Sequence, residues 1–193
     1  MNTEAIDRLL TRRSVSSAAL GLPGPDSSQL QRMLSLAARV PDHGSLEPWR
    51  FIVLSGHARV RAGLDLSEIY AHEKSDMESV KLAKFKGIIS RLFVYAPTVV
   101  LVVHSPRLHD QISDREQLLS VGAVCMNLLT AVCLMGFHGN WLTGWVTASP
   151  GARNYFRLTT GEEFVGVIQI GTADVVPADR RRPDLDAITS YWE

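Results

Sequence analysis

The sequence predicts an α+β fold, because helical and extended segments alternate without the regular strand–helix order of parallel-sheet proteins. Two apolar segments rich in branched residues, 98–104 and 164–170, predict buried strands. Apolar residues at i, i+3, i+4 and i+7 predict an amphipathic helix: Leu30, Met33, Leu34 and Ala37. The chain has 193 residues without repeats or a linker-like stretch, and we expect a single domain over residues 1–193.

The other elements follow in order along the chain. Residues 5–10 are amphipathic and predict a short first helix, and the sequence GLPGP at 21–25 predicts a loop. The second helix is preceded by three candidate N-cap residues, Asp26, Ser27 and Ser28. Residues 51–54 predict a short strand. Polar, charge-mixed stretches predict two outer helices, at 57–72 and 76–90.

The most unusual segment is a stretch of 36 residues, 117–152, that contains no Asp, Glu, Lys or Arg. Its first part, 118–137, is largely apolar, and about 20 such residues can span a bilayer. Ser120, Asn127 and Thr130 interrupt the run, and no second segment of this length occurs. We therefore expect no membrane span but a helix buried by the core or by a partner subunit, which suggests a homodimer. A helix covered by its own chain is the alternative.

Charge and cysteine content restrict the classes of function. The 20 Lys and Arg residues balance 20 Asp and Glu residues, so no global basic excess favours nucleic acid as a partner. Cys125 and Cys133 lie eight residues apart on the predicted helix, about 12 Å of rise, which is too far for a disulfide. This cysteine usage is typical of a reducing compartment. The amino-terminal segment lacks the features of a signal peptide, and we expect a cytoplasmic location.

Arg12, Arg13 and Ser14 end the first predicted helix. Two forked guanidinium groups beside a hydroxyl match the oxygens of a phosphate group. A solvated basic helix end that complements the helix dipole is the alternative, and the triplet by itself favours that alternative.

Two further motifs lie near predicted strands. Residues 39–51 (RVPDHGSLEPWRF) leave a helix through a proline turn and combine Arg39, His43 and Arg50 with aromatic residues, as binding loops do. His43 by itself is more typical of a structural loop histidine. Residues 136–144 (GFHGNWLTG) follow the apolar helix, and their glycines let the backbone approach a ligand closely. Their spacing does not match the dinucleotide fingerprint.

Several familiar motifs do not occur in the sequence. There is no G-x-S-x-G elbow, Walker loop, H-E-x-x-H or C-x-x-C, which disfavours hydrolase, nucleoside-triphosphatase and zinc chemistry. A strand end and a solvated loop explain the loosely metal-like spacing of four residues, and we expect no metal site: His104, His109, Asp110 and Asp114. At the carboxyl end, the arginine-rich segment 180–182 predicts extended chain, followed by a terminal strand over 188–192.

Taken together, the three motifs resemble those of the nitroreductase family of FMN-dependent oxidoreductases. They are R-R-S after a short helix, A-x-x-P-D-H-x-S-L-x-P-W-R-F, and G-F-x-G-x-W after a central apolar helix. Their order and spacing match from about residue 5 to the carboxyl end, and the length fits the compact branch of the family. The resemblance implies a three-layer α+β fold with a mostly antiparallel central sheet flanked by helices. It also implies an intertwined homodimer with an FMN site at the subunit interface.

The resemblance assigns site residues by position. Arg12, Arg13 and Ser14 match the segment that contacts the phosphate and ribityl side of FMN. Arg39 and His43 match residues that reach FMN from the other subunit.

Later parts of the chain match further family positions. Trp141, Leu142 and Thr143 match the backbone stretch beside the flavin. Residues 131–136 correspond to a stretch assigned to NAD(P), and Arg182 resembles a phosphate-binding arginine of larger members.

The chain departs from the family pattern at Ser16, where many members carry a basic residue near the flavin pyrimidine. A positive group at that position stabilises reduced flavin and shifts its potential. If the charge is supplied at all, another residue must supply it, and Arg39, His43 and Arg50 are the candidates.

The implied activity is hydride transfer from NAD(P)H through FMN to an electron-poor small molecule such as a nitroaromatic or a quinone. This chemistry needs no protein nucleophile, so no residue is assigned as catalytic. One alternative is an oxygen-dependent enzyme of the same fold that fragments flavin or removes halogen. Another is a non-enzymatic FMN-binding or redox-sensing dimer, and a binding domain without flavin is the plainest alternative. The sequence does not indicate a preference between NADH and NADPH.

Overall fold

The computed structural model describes residues 3–192, and the element order confirms the irregular alternation of helices and strands. In chain order the elements are α1 (Thr3–Thr11), α2 (Ser27–Ala37), β1 (Trp49–Ser55), α3 (Gly56–Glu73), α4 (Ser79–Leu92), β2 (Thr98–His104), α5 (Asp114–Leu134), β3 (His138–Leu142), α6 (Trp145–Ala148), α7 (Pro150–Tyr155), β4 (Glu163–Gly171) and α8 (Leu185–Ile188). Single 3₁₀ turns occupy Ser17–Ala19 and His43–Ser45.

The described residues form a sheet in the order β1-β2-β4-β3, in which each pair of neighbours is antiparallel. The central strand β2 is buried on both faces. Val100 and Val102 pack with α2 and α5, whereas Val99, Leu101 and Val103 pack with α3, α4, α6 and α7. Two helical layers therefore enclose the sheet, which explains why β2 is apolar throughout and confirms the predicted α+β fold.

Helix α5 forms the centre of one helical layer. Val121, Val124 and Leu128 of this helix are buried against the sheet. Its opposite side is open within one chain, where Leu119 is 66% exposed and Met126 43% exposed. By length and composition, α5 is the one helix in the described range that could cross a membrane. Its own chain therefore covers only one side of this apolar helix.

Capping side chains set the starts of the two helices in this layer. Asp26 accepts a hydrogen bond from Gln29 N at 2.8 Å, and the Gln29 side chain accepts one from Asp26 N. Ser113 and Glu116 form the same reciprocal arrangement at the start of α5. Such capping boxes satisfy amide groups that the helix itself leaves unpaired, and the first confirms Asp26 as the N-cap.

Both cysteines lie on α5 as free thiols, which confirms that they form no disulfide. Burial raises the pKa of the Cys125 thiol to about 12. Cys133 is half-buried, and its Sγ lies 3.5 Å from the carbonyl oxygen of Arg8. Cys125 therefore lacks the low pKa that makes a thiol reactive at neutral pH.

The predicted terminal strand over 188–192 is wrong. A short helix, Leu185–Ile188, begins where the Asp184 side chain accepts a hydrogen bond from Asp186 N at 3.1 Å. The chain then continues without pairing to any strand of the described range, and Trp192 is fully exposed. A strand needs a hydrogen-bonding neighbour, and none of the described strands supplies one to the tail.

Candidate functional site

The R-R-S segment lies against the start of β3, so the first and third sequence motifs come together. Val15 N donates a hydrogen bond to the carbonyl oxygen of Gly139 at 3.2 Å. The side chain of Asn140 returns one, from Nδ2 to the Val15 carbonyl oxygen at 2.7 Å. These two bonds fix the backbone that directly follows Ser14, and thereby anchor the R-R-S segment beside β3.

Arg12 and Arg13 carry buried donors that have no acceptor in the described part of the chain. The Nη1 atoms of both guanidinium groups and Nδ1 of His138 are buried without a hydrogen-bond partner among residues 3–192. All three residues line one cavity of about 230 Å³ between α1, the last turns of α5 and the start of β3. Burying a charged donor without an acceptor costs free energy, and an anion in this cavity would remove that cost.

Two arginines of the tail lie beside the first pair. Arg180 and Arg182 line a second, smaller cavity of about 40 Å³ together with Arg12, Arg13 and Ser14. We call Arg12, Arg13, Arg180 and Arg182 the arginine cluster. One carboxylate, Asp179, accepts a hydrogen bond from Arg182 Nη2 at 2.6 Å. The pKa of Asp179 is lowered by a backbone hydrogen bond from Arg180 and by the Arg182 guanidinium.

His43, from the second sequence motif, lies at the start of α5. The exposed His43 has its Nδ1 atom 3.4 Å from Oε1 of Glu116, in the first turn of that helix. The larger cavity, beside Arg12 and Arg13, is lined by Val132, which lies 16 residues after Glu116. At 1.5 Å per residue the separation is about 24 Å. The structure therefore does not bring His43 and the arginine cluster together within one chain.

Glu116 connects this loop to the helix start. Its pKa is lowered by the backbone hydrogen bond from Ser113, and further by the contact with His43. Arg39 lies between α2 and this loop and has an exposed side chain. His43 thus lies at the start of α5, Arg39 lies beside the middle of the helix, where Asn127 binds its carbonyl oxygen, and the arginine cluster lies near the last turns.

Residues 141–143 lie at the end of β3, which is an edge strand of the sheet. Trp141 donates from its indole nitrogen to the carbonyl oxygen of Val165 at 3.2 Å, and its ring packs over Gly166, where a Cβ would clash. Leu142 pairs with Val167 of β4, and Thr143 is exposed. The Trp141 ring is thus held in the core, and one edge of the β3 backbone faces away from the sheet.

Arg50 forms a bidentate ion pair. Its Nε and Nη2 atoms donate to Oε1 and Oε2 of Glu162 at 2.6 and 2.7 Å. These bonds lower the pKa of the buried Glu162 carboxyl to about 2, although burial opposes the shift. The pair joins the start of β1 to the segment before β4. The Arg50 guanidinium is therefore already paired with a carboxylate of its own chain, whereas the Nη1 atoms of Arg12 and Arg13 are not.

Glu73 is a positioning residue that the sequence motifs do not indicate. It accepts hydrogen bonds from Trp145 Nε1 and Ser149 Oγ at 2.7 Å and from Gly151 N at 2.8 Å. Burial raises the pKa of this carboxyl, but the three hydrogen bonds outweigh burial and lower it overall. The network fixes the chain just after Thr143. Its partners lie more than 70 residues from Glu73, so no local pattern could have revealed it.

Comparison with known proteins assigns the class. The family model described as "Nitroreductase family" matches residues 9–172. The chain therefore belongs to the nitroreductase family, as its motifs predict, and is an oxidoreductase of that family. Within residues 3–192 no group of three or more His, Cys, Asp or Glu side chains is arranged to hold a metal ion.

Particular relatives span nearly the whole chain. A protein of Escherichia coli strain K12 named "Putative NAD(P)H nitroreductase YdjA" is 31% identical over 187 residues, covering 97% of this chain and 92% of the relative. The crystal structure of a nitroreductase-like family protein from Bacillus cereus matches with a TM-score of 0.83 at 22% identity, covering 100% and 98% of the two chains. The FMN- and NADPH-dependent nitroreductase NfnB from Sphigopyxis sp. strain HMH matches with a TM-score of 0.71 at 19% identity, covering 98% and 99%. These likenesses confirm the nitroreductase-like fold.

Proposed function

We propose that the protein is a homodimeric, FMN-dependent oxidoreductase that uses NAD(P)H to reduce nitroaromatics, quinones or similar electron-poor small molecules. The observation that carries the proposal is the pair of buried, unpaired Nη1 donors of Arg12 and Arg13. Together with Arg180 and Arg182, they form a cationic cavity that suits the phosphate group of a flavin nucleotide. The FMN- and NADPH-dependent relative NfnB, which has the same fold, supports the choice of cofactor.

The residues of this chain would hold FMN by position and charge. Arg12, Arg13 and Ser14 would bind the phosphate and ribityl side, with Arg182 closing the same cavity. The free edge of β3 at Trp141, Leu142 and Thr143 would offer backbone groups to the ring. When bound, FMN supplies the chemistry by accepting a hydride from NAD(P)H and passing it to the acceptor. The whole chain, 1–193, would serve as one FMN-binding domain.

A second copy of the chain would complete each site. His43 lies about 24 Å from the arginine cluster along α5, so one chain cannot place both groups on one FMN. In a two-fold dimer each chain supplies one group to each of two sites. The apolar side of α5 between these groups supports this arrangement, because Leu119 and Met126 would be covered at the interface.

Arg39 and His43 would then supply the positive charge that Ser16 does not. Both side chains are exposed in one chain, whereas the third candidate, Arg50, is already paired with Glu162. A cationic group close to the flavin pyrimidine raises the potential of the cofactor.

The visible absorption spectrum of the purified protein tests the cofactor and the activity together. We expect a yellow protein whose flavin band is bleached anaerobically by NADH or NADPH and restored by a nitroaromatic or a quinone. Separate titrations with each nicotinamide determine the preferred donor. A protein that is colourless, and remains so after FMN is added, contradicts the proposal.

The same experiment separates the two alternative functions. Consumption of FMN itself in air, without turnover of nitro compounds, indicates an oxygen-dependent enzyme of the same fold. Bound flavin that neither NADH nor NADPH reduces indicates a binding or redox-sensing dimer.

Sedimentation velocity tests the dimer. Met126→Glu places a charge on the exposed apolar side of α5, and we expect it to yield monomers that no longer retain FMN. Val80→Glu is the matched control, because Val80 is 75% exposed on the outer helix α4. A Met126→Glu protein that remains dimeric with bound FMN contradicts the proposed interface.

A further inference from the structure

Asn127 makes side-chain contacts that the site described above does not use. It lies in the middle of α5, within the charge-free stretch, and its Nδ2 atom donates to two carbonyl oxygens of another part of the chain. The distances are 2.6 Å to the Leu36 oxygen and 3.0 Å to the Arg39 oxygen. One amide group thus holds the end of α2 on α5.

The two carbonyl groups flank the point where the chain leaves α2. The last carbonyl groups of a helix have no partner within the helix itself. The Leu36 oxygen accepts a bond from Arg39 N at 3.1 Å, and Asn127 supplies a side-chain donor to the same oxygen. Because Asn127 also binds the carbonyl oxygen of Arg39, it fixes both ends of the turn from which the Arg39 side chain extends.

Asn127 connects this turn to a rigid part of the molecule. Its neighbours on α5, Val124 and Leu128, are buried against the sheet. The same helix also contacts His43, through the Glu116 side chain. Both residues predicted to reach FMN from the other subunit therefore take their position from α5, Arg39 through its backbone and His43 through its ring.

We propose that Asn127 is a positioning residue that sets Arg39 for FMN bound in the partner subunit's site. The inference rests on the proposed function, because it assumes that Arg39 contacts FMN. A leucine at position 127 would extend the apolar surface of α5 but could not donate a hydrogen bond. The Asn127 amide ties α5 to both carbonyl groups. Its effect on FMN is therefore exerted through Arg39 and is absent when Arg39 is removed.

A double-mutant cycle on FMN affinity tests the proposal. The dissociation constant is measured by quenching of flavin fluorescence on the flavin-free full-length dimer. We expect Arg39→Ala and Asn127→Leu each to weaken binding by about tenfold. The double variant should bind FMN no more weakly than Arg39→Ala by itself, since coupled residues are not additive.

Arg12→Ala provides the matched comparison in the same cycle. Arg12 lies in the arginine cluster, on a cavity that neither Asn127 nor Arg39 lines, so its effect should multiply with that of Asn127→Leu. Thermal unfolding of each flavin-free variant separates positioning from a loss of stability. Asn127→Asp is the second variant, because it keeps the shape of the side chain but replaces the donor with an acceptor. We expect it to weaken FMN binding as Asn127→Leu does.

Three outcomes overturn the proposal. In the first, Asn127→Leu and Asn127→Asp lower the unfolding temperature but leave FMN affinity within twofold of the natural protein, so Asn127 is only a helix cap. In the second, the effects of Asn127→Leu and Arg39→Ala multiply. In the third, Arg39→Ala binds FMN normally. If the natural protein binds no FMN at all, the proposed function fails first, and this inference fails with it.

Discussion

Arg12 and Arg13 differ from Arg50 in one decisive respect, although all three lie in motifs that point to ligand binding. Arg50 donates two short hydrogen bonds to Glu162, whereas Arg12 and Arg13 each keep a buried Nη1 atom without an acceptor among residues 3–192. The paired guanidinium of Arg50 joins β1 to the segment before β4. An unpaired one at the wall of a cavity is prepared for an anion that comes from outside the chain.

The difference shows that residue type does not decide the role of an arginine. Arg50 faces a carboxylate that its own fold provides, and Glu162 is almost wholly buried. Beside the arginine cluster, the Asp179 carboxylate pairs with Arg182 and neutralises part of the cluster's positive charge. We therefore expect substitutions in the Arg50–Glu162 pair to change stability, and substitutions of Arg12 or Arg13 to change FMN binding.

The largest effect is expected for Glu162→Ala. Removing this carboxylate leaves the Arg50 guanidinium in the sheet without its acceptor, and we expect the free energy of unfolding to fall by about 3 kcal/mol. Urea unfolding of the flavin-free protein measures the change. FMN affinity of the folded fraction should stay the same. If affinity falls instead, the pair is part of the binding site and the comparison is wrong.

Arg13→Ala should show the opposite behaviour. We expect FMN to bind about 10- to 30-fold more weakly, because a charged hydrogen bond to phosphate is lost, with little change in stability. Arg91→Ala is the matched control, since Arg91 is an exposed arginine on the outer helix α4. Fluorescence titration with FMN measures all three proteins. Equal affinity for Arg13→Ala and Arg91→Ala would remove Arg13 from the phosphate site.

A dependence of stability on pH should separate the two groups further. The pKa of Glu162 lies at about 2, below its ordinary value of 4.5, so the ionised carboxylate stabilises the fold above pH 4.5. That stability is lost as the pH falls from 4.5 towards 2, by at most about 1.4 kcal/mol per pH unit. Urea unfolding across this range should show a shallower loss for Glu162→Gln than for the natural protein. Arg13→Ala should show the same pH profile as the natural protein. If the natural protein and Glu162→Gln show the same profile, Glu162 is not the source of the pH dependence.

Inorganic phosphate should give the smallest effect. A ligand that binds only the folded state stabilises it. Phosphate near ten times its dissociation constant should therefore raise the free energy of unfolding of the flavin-free protein by about 1.4 kcal/mol, which corresponds to a few degrees in unfolding temperature. Chloride at the same ionic strength is the control. The shift should disappear in Arg13→Ala and persist in Glu162→Gln. An equal shift in both variants would place the phosphate elsewhere.

The elements of the fold could be predicted largely from local patterns. The apolar run at 98–104 is β2 with the same bounds, and Asp26 caps α2 as expected. These predictions succeed because strand burial and capping depend on residues that are close in sequence. The terminal strand failed for the converse reason, since pairing depends on a neighbour that the sequence does not specify locally.

The site could be predicted only in part. The motifs at 12–14 and 136–144 meet in the structure. The joining of Arg182 to Arg12 and the pairing of Arg50 with Glu162 link residues more than 100 positions apart. Their side chains meet only after the sheet has formed, so one sequence could not distinguish the occupied arginine from the unoccupied ones.

The apolar side of α5 has a consequence for how the protein would behave at different concentrations. If each FMN is bound by groups from two chains, cofactor binding and association are linked, and each strengthens the other. The apparent affinity for FMN then rises with protein concentration, and dilution releases flavin together with monomers. Yellow colour would report the assembled state, and a supply of flavin would protect Leu119 and Met126 from exposure to solvent and to proteases.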